Sequence, residues 1–560
     1  MDNNWDTEKL KPEDLPATVT LVCLVTYENP SNKGDEEGLP PTNHWCLFRK
    51  GEADLSGREH SVHKVESGWA CDVAGRITEV FGKSGKQEAD LRHQIIICTY
   101  ISCRSKQPSS PTTASAPNTQ IMASLPRASQ DGLEWKETLF DLVPQWTREP
   151  SIPAIENVCR QQLGIPSEDR CTVTFLTSGL FNKLYIVECA TGPLIMRVTL
   201  PVYPRHKTRA EVATLRWVHE NTTIPVPKVF GFDDNNENEV GFEWTLMELM
   251  EGTSAHRRWR NMSMEQKVAF TRQIAKFQAE LSGFGKPVSL FRSIGTLDIQ
   301  EFAQGGDAEH LEKVAPGLLV SHEFFMGDRL HYDVPRGPFH SSHDWLSAEL
   351  NIILLAQTAV LGSTEDEDDR EDAEEILPVA RKLLSLVPKV FPVTLDKPEI
   401  TALYHHDLHL NNILVNEEGE ITAVLDWECV SAMPLWMSTK VPKFLDEPTR
   451  EEEPQRDLYA NETPEEAAAV IESRHDPDYL DNEGKNQLYF IHRMEYEATQ
   501  LRKVYEATLR QLWPKWPLEE SHAEIDFFQA IAACDGIWVK RARRWADCME
   551  KGERMRFEDA

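Results

Sequence analysis

Residues 400–428 read ITALYHHDLHLNNILVNEEGEITAVLDWE. The apolar flanks, Ala402 to Tyr404, Ile413 to Val415 and Ile421 to Leu425, predict short buried strands, and Asn416 to Gly419 has the composition of a hairpin turn. Polar side chains are thereby confined to one loop and one strand end. Asp407 and Asn412 share the loop, and the hairpin returns the chain so that Asp426 emerges beside them. Phosphoryl transfer needs an aspartate to orient an attacking hydroxyl and take its proton, together with oxygen ligands for magnesium on the phosphates. Asp407 fits the first role, and Asn412 and Asp426 fit the second. His405 is expected to brace the loop by hydrogen bonding. The alternative for Asp407, Asn412 and Asp426 is separate loop capping, which does not account for their joint arrangement. His409 reads as loop structure and Trp427 as core packing, while Glu428 is a weaker candidate for a secondary metal role.

Outward from this stretch the chain changes character in stages. Strand-like CTVTFLT, YIVECA and LIMRVTL precede a helical RAEVATLRWVHE, and EWTLMELMEG reads as a strand running into a loop. From Met264 onward Phe270, Ile274, Phe277 and Leu281 mark one face of an amphipathic helix, with Gly283 placed to end it. A similar stripe of Met494, Ala498, Leu501, Tyr505 and Leu512 predicts helices to about Gly552. The acidic block Glu365 to Glu375 reads as a solvated insertion or an exposed helix start.

Together, H-H-D-L-H-L-N-N and L-D-W-E resemble the catalytic and metal-binding signature of the aminoglycoside phosphotransferase and choline kinase-like family, and the ordered features look most like its large fungal branch. Upstream, TSGLFNKLYIVE at Thr177 to Glu188 resembles that family's turn over the nucleotide phosphates, LIMRV its third strand, and Met247-Glu248-Leu249 the linker between its lobes. The resemblance covers roughly residues 150–555. It implies an α+β, bilobal, protein kinase-like fold with a small sheet-based lobe and a large helical lobe. It also implies ATP, or GTP, with Mg2+ as cofactors.

Carried over residue by residue, the resemblance puts Ser178, Gly179, Asn182, Arg197, Glu211, Glu248 and Leu249 at the nucleotide. Arg197 stands where kinases usually have Lys. Its alternative is a surface charge on a strand. Glu211 has another, since Thr208-x-x-Glu211 reads as a capping box. Gly179 with Ser178 and Asn182 also fits an ordinary hairpin.

The domain organisation expected is a small strand-containing module at 1–104, a Ser/Pro/Thr-rich linker at 105–130, a small lobe with its lead-in at 131–252 and a helical lobe at 253–560. In the first module ATVTLVCLVTY, NHWCLFRK and RHQIIICTYI read as strands, and its function is not legible. FGKSGK fails as a phosphate loop because Ile77 stands where the first glycine is required. His44 and Trp45 read as ordinary packing.

The 560 residues carry a formal charge of −32, which argues against nonspecific nucleic-acid or anionic-membrane partners and favours a neutral or cationic acceptor. Eleven scattered Cys fit free thiols rather than a disulfide framework. An acidic amino terminus and the lack of a long apolar run lead to the expectation of a cytoplasmic protein. The expected activity is transfer of a γ-phosphoryl group to a hydroxyl of a small polar molecule. The alternative is a pseudokinase that binds nucleotide or metabolite as a regulatory module. A kinase acting on proteins fits less well, because D-W-E replaces D-F-G and no A-P-E follows.

Overall fold

A computed structural model describes residues 22–27, 44–49, 63–66, 130–138, 142–284, 290–300, 313–393, 398–463, 483–514, 516 and 521–560. The strands β1 (Val22–Tyr27), β2 (His44–Arg49) and β3 (His63–Glu66) form an antiparallel sheet in that order. This sheet belongs to one compact unit and residues 130–136 and 142–560, where described, to a second, so each is described by itself. The strand read at RHQIIICTYI, the FGKSGK segment and nearly all of the 105–130 linker lie outside the described residues.

In the second unit β4 (Leu133–Glu137) and β5 (Leu142–Trp146) pair, and α1 (Ile152–Leu163) follows, with Ser151 at its N-cap and left-handed Gly164 at its C-cap. The strands β6 (Cys171–Ser178), β7 (Asn182–Cys189), β8 (Gly192–Thr199), β9 (Val229–Asp233) and β10 (Glu243–Glu248) make a five-stranded antiparallel sheet, ordered β6-β7-β8-β10-β9. Helix α2 (His206–Asn221) follows β8. Met196, Val198, Trp244 and Leu246 pack under the sheet with Phe181 and Tyr203. This is the small sheet-based lobe.

After β10 the chain crosses to the helical lobe through Gly252 and β11 (Thr253–Ser254), which pairs with β15 (Ile413–Val415). Gly252 has φ +130°, and a Cβ there would lie 2.5 Å from Thr422 Oγ1, so only glycine lets the crossing run this close to the hairpin that carries the site. Next come α3 (Ala255–Trp259) and α4 (Met264–Leu281), the latter opened by a Ser263/Gln266 capping box. The strands β12 (Gly295–Gln300) and β13 (Lys313–Pro316), a short α5 (His322–Phe325) and the long α6 (Ser342–Ser363) follow.

By length and composition α6 could cross a bilayer, but half of its apolar window is buried, with Leu346, Leu350 and Ile353 in the core, as a core helix requires. The acidic block begins α7 (Glu367–Val390), where Asp366 accepts from the amides of Asp368 and Asp369 and acid in the first turn complements the helix dipole.

The strand β14 (Thr401–Tyr404) pairs with β17 (Ser431–Pro434) and so enters the sheet β13-β12-β17-β14, whereas β15 pairs with β16 (Ile421–Val424) in a separate hairpin. Helices α8 (Gln487–Leu512), α9 (His522–Cys534) and α10 (Val539–Lys551) complete the lobe, and Gly552 closes α10. Cys159, Cys171, Cys189, Cys429, Cys534 and Cys548 are free thiols.

Candidate active site

The loop after β14 is pinned by its apolar residues. Leu408 and Leu410 enter the core, and this leaves Asp407 and Asn412 facing outward. His409 caps the turn Leu410–Asn412, its Nδ1 accepting from the Asn411 amide at 3.1 Å. The Asn412 side-chain amide donates to the Asp407 carbonyl at 3.0 Å, which leaves its oxygen as the atom available to a cation. The Leu425 amide donates to the Asn412 carbonyl at 2.8 Å, and this bond sets Asp426 beside the loop.

His405 is buried, and its Nε2 donates to the Leu425 carbonyl at 3.1 Å while the ring meets Trp427 edge-on at 5.0 Å. Burial, reinforced by His406, pushes its imidazole down to about 4. A neutral, buried ring tied to Leu425 braces the metal-side strand. Its place among the candidate catalytic residues is that of a support for Asp426.

Asp407 accepts from Lys443 Nζ at 2.8 Å on one oxygen, and His409 Nε2 stands 3.4 Å from the other. Burial alone would raise this carboxyl, but the His409 and Lys443 hydrogen bonds hold it well below the usual carboxylate range. The Lys443–Leu445 turn is anchored by Leu445 in the core and by Phe444, whose ring lies 5.8 Å from Trp259 and 5.5 Å from Phe270. His409 thus does more than shape the loop, and Lys443 is a site residue that the motif does not contain.

Asp426 adopts φ +60°, a left-handed conformation that Asp tolerates better than most residues and that tends to persist at functional positions. Burial, then the neighbouring Glu428, push its carboxyl up to about 7 against the pull of Arg197. Arg197 is buried, so it is not a surface charge. Its Nη1 lies 2.9 Å from Glu211 Oε1, and its Nη2 lies 2.5 Å from Glu428 Oε2 and 3.3 Å from Asp426 Oδ1. The capping box that was the alternative reading of Thr208 and Glu211 does not form. Helix α2 begins at His206 with Arg205 at the N-cap, so Glu211 falls past the first turn and is free to meet Arg197.

The β6–β7 turn is less specialised than the carried-over signature implies. The Gly179 amide donates to the Asn182 carbonyl at 2.8 Å, yet Gly179 has ordinary backbone angles and a Cβ there would meet nothing closer than 3.9 Å. Ser178 donates to the Gly179 carbonyl at 3.3 Å and stays exposed. Asn182 turns inward, donating to Glu428 Oε2 at 2.8 Å. The exposed Glu248 carboxylate accepts from the Lys228 amide at 3.2 Å, and half-buried Leu249 follows it in the crossing to the helical lobe.

Among the described residues no group of three or more His, Cys, Asp or Glu is arranged to hold a metal. The candidate donors are the sparse pair Asn412 and Asp426, and such a pair would suit magnesium, a cation that keeps several waters and takes phosphate oxygens. Three carboxyl groups, Glu211, Asp426 and Glu428, face two cations, Arg197 and Lys207, in this small volume.

Residues 172–437 match the family model described as "Phosphotransferase enzyme family". A subtelomeric hrmA-associated cluster protein of Aspergillus fumigatus is 28% identical over 321 residues, 50% of this chain and 61% of that protein. Altered inheritance of mitochondria protein 9, mitochondrial, of Saccharomyces cerevisiae is 23% identical over 350 residues, 54% of this chain and 55% of that protein. The chain thus spans less than two thirds of the length of these curated relatives. The crystal structure of aminoglycoside phosphotransferase APH(4)-Ia covers 72% of this chain and 100% of its own, with 14% identity and a TM-score of 0.35. The expected cytoplasmic location is corrected by the yeast relatives, whose name places them in mitochondria. Arg197, Glu211, Asp407, Asn412 and Asp426 all fall within the matched segment, so residues 172–437 of this chain, in a protein kinase-like α+β fold, match the phosphotransferase enzyme family.

Proposed function

We propose that residues 131–560 catalyse transfer of the γ-phosphoryl group of ATP to a hydroxyl of a small polar molecule. The observation that supports this reading is the Leu425-to-Asn412 backbone bond, which brings Asp426 beside the loop that carries Asp407 and Asn412. Asp407 orients the acceptor hydroxyl and takes its proton as the oxygen bonds to the γ-phosphorus and the bond to the ADP oxygen breaks. Lys443 and His409 keep Asp407 ionised and aimed. Asn412 and Asp426 would hold magnesium, which supplies charge neutralisation on the phosphates. Arg197, fixed by Glu211, presents the cationic side of the nucleotide site, with Ser178, Gly179 and Asn182 at its turn and Glu248 and Leu249 at its edge.

The acceptor is inferred to be polar and amine-bearing. The chain is strongly acidic, and Glu323 lies near enough to His322 and His406 at the mouth of the catalytic loop to act on both rings. A second reading, a nucleotide-binding pseudokinase, is favoured by one observation: both Nη atoms of Arg197 are already engaged by carboxylates. Titrating the full chain with ATP and magnesium, then following ATP consumption with aminoglycosides, amino alcohols and sugars, separates the two. Binding without acceptor-stimulated turnover supports the pseudokinase.

A further inference from the structure

One oxygen of Glu428 receives three donors from three separate elements of the small lobe. Asn182 Nδ2, at the start of β7, lies 2.8 Å from Glu428 Oε2, and Arg197 Nη2, on β8, lies 2.5 Å from the same atom. Lys207 Nζ, on α2, contacts it as well. The lysine is almost fully buried, a state that the side chain rarely adopts unless paired. It stands 3.4 Å from Asn182 Oδ1 and 5.4 Å from the centroid of the Phe181 ring. Asn182 Oδ1 in turn accepts from Thr199 Oγ1 at 2.9 Å, so the donor cage is itself held in place.

Lys207 and Glu211 are four residues apart on α2 and therefore share a face. On this face the helix is tied to the site by two ion pairs, Glu211 to Arg197 and Lys207 to Glu428, while Arg209 holds it separately to Asp298 at 2.9 Å. The crowding of donors also distinguishes Glu428 from Asp426. The Oε2 atom is occupied by protein donors, whereas the Asp426 carboxylate has one contact with Arg197, at 3.3 Å.

We propose that Glu428 is a positioning residue rather than a metal ligand, a latch whose Oε2 gathers Asn182, Arg197 and Lys207 and so fixes the small lobe on the strand end carrying Asp426. The proposal rests on the phosphotransferase reading for its effect on turnover, but the latch itself is a structural statement that can be tested without it. Lys207 is the cation that closes it.

The test uses the full chain with Lys207→Met, Glu428→Gln and Lys207→Arg. Backbone hydrogen exchange over 206–221 is expected to accelerate on the order of tenfold in the first two variants and to stay near wild type in Lys207→Arg. Half-saturating magnesium for ATP consumption is expected to rise by a similar factor in Lys207→Met and in Glu428→Gln, with rescue by arginine. Unchanged exchange in both Lys207→Met and Glu428→Gln overturns the latch. A magnesium effect in Glu428→Gln without one in Lys207→Met also overturns it, because that pattern marks a metal ligand. If wild type consumes no ATP, the phosphotransferase reading fails while the exchange comparison still decides the latch. If Lys207→Met does not fold, Glu428→Gln, which keeps the side-chain shape, decides by its exchange.

Discussion

Arg197 Nη1 and Glu211 Oε1 stand 2.9 Å apart, with both side chains taken out of water. Burial raises the Glu211 carboxyl above its usual range, and Arg197 pulls against that rise. Arg197→Met strands Glu211 and is expected to cost about 3–5 kcal/mol, the cost of leaving a buried charge without its partner. Denaturant unfolding measures it, and wild-type stability in the variant would show that the pair does not hold β8 to α2.

Trp427 is 1% exposed, donates from its indole nitrogen to the Val424 carbonyl at 2.9 Å, and meets His405 edge-on. Trp427→Ala is expected to lose about 3–5 kcal/mol through the cavity it leaves. The same measurement checks it; a loss below about 1 kcal/mol would mean that the surrounding core closes over the gap.

The local parts of this architecture were legible because each leaves a short-range signature. The Asn416–Gly419 turn forms between β15 and β16, with the Asn416 amide donating to the Glu420 carbonyl at 3.0 Å. Helix α4 runs Met264–Leu281 along the apolar stripe, and left-handed Gly283 follows it. What sequence could not show depends on chain segments far apart. Lys443 reaches Asp407 across 36 positions and Lys207 reaches Glu428 across 221, and neither contact has a periodicity or spacing to announce it. The Thr208-x-x-Glu211 pattern left a capping box open as an alternative, which needs Thr208 at the N-cap, whereas the N-cap of α2 is Arg205, three residues earlier. The pairing of β14 with β17 was hidden likewise, since strand composition predicts a strand but not its neighbour.

Lys443 is partly exposed, so its pair with Asp407 contributes little to folding, about 0–1 kcal/mol by analogy with other exposed ion pairs. Its contact with Asp407, the proposed base, is nevertheless expected to matter for turnover. Lys443→Ala is expected to unfold like wild type and to lose acceptor-stimulated ATP consumption by about tenfold or more. Equal turnover in the two proteins would remove Lys443 from the account.

Glu243 is buried, and its Oε1 accepts from the Arg205 amide at 2.6 Å. Burial pushes its carboxyl up to about 7, although Thr208 and the Arg205 amide work the other way. A carboxyl raised in the folded state favours folding while protonated, and that contribution is full below its unfolded value near 4.5 and is lost as pH rises through about 7. Glu243→Gln is therefore expected to melt higher than wild type at pH 8, with the difference shrinking toward pH 4.5. Thermal unfolding at the two pH values checks this, and a difference independent of pH would contradict it.

The most direct test of the phosphotransferase reading is magnesium-dependent ATP consumption by the full chain over pooled aminoglycosides, amino alcohols, sugars and ketosamines, with Asp407→Asn alongside. The account predicts that at least one pool stimulates turnover and that the variant loses about 10²–10⁴-fold of it while still binding nucleotide. Acceptor-stimulated turnover that survives in Asp407→Asn would contradict the assignment of the base, and stimulation by no pool would leave nucleotide binding as the chemistry this site performs.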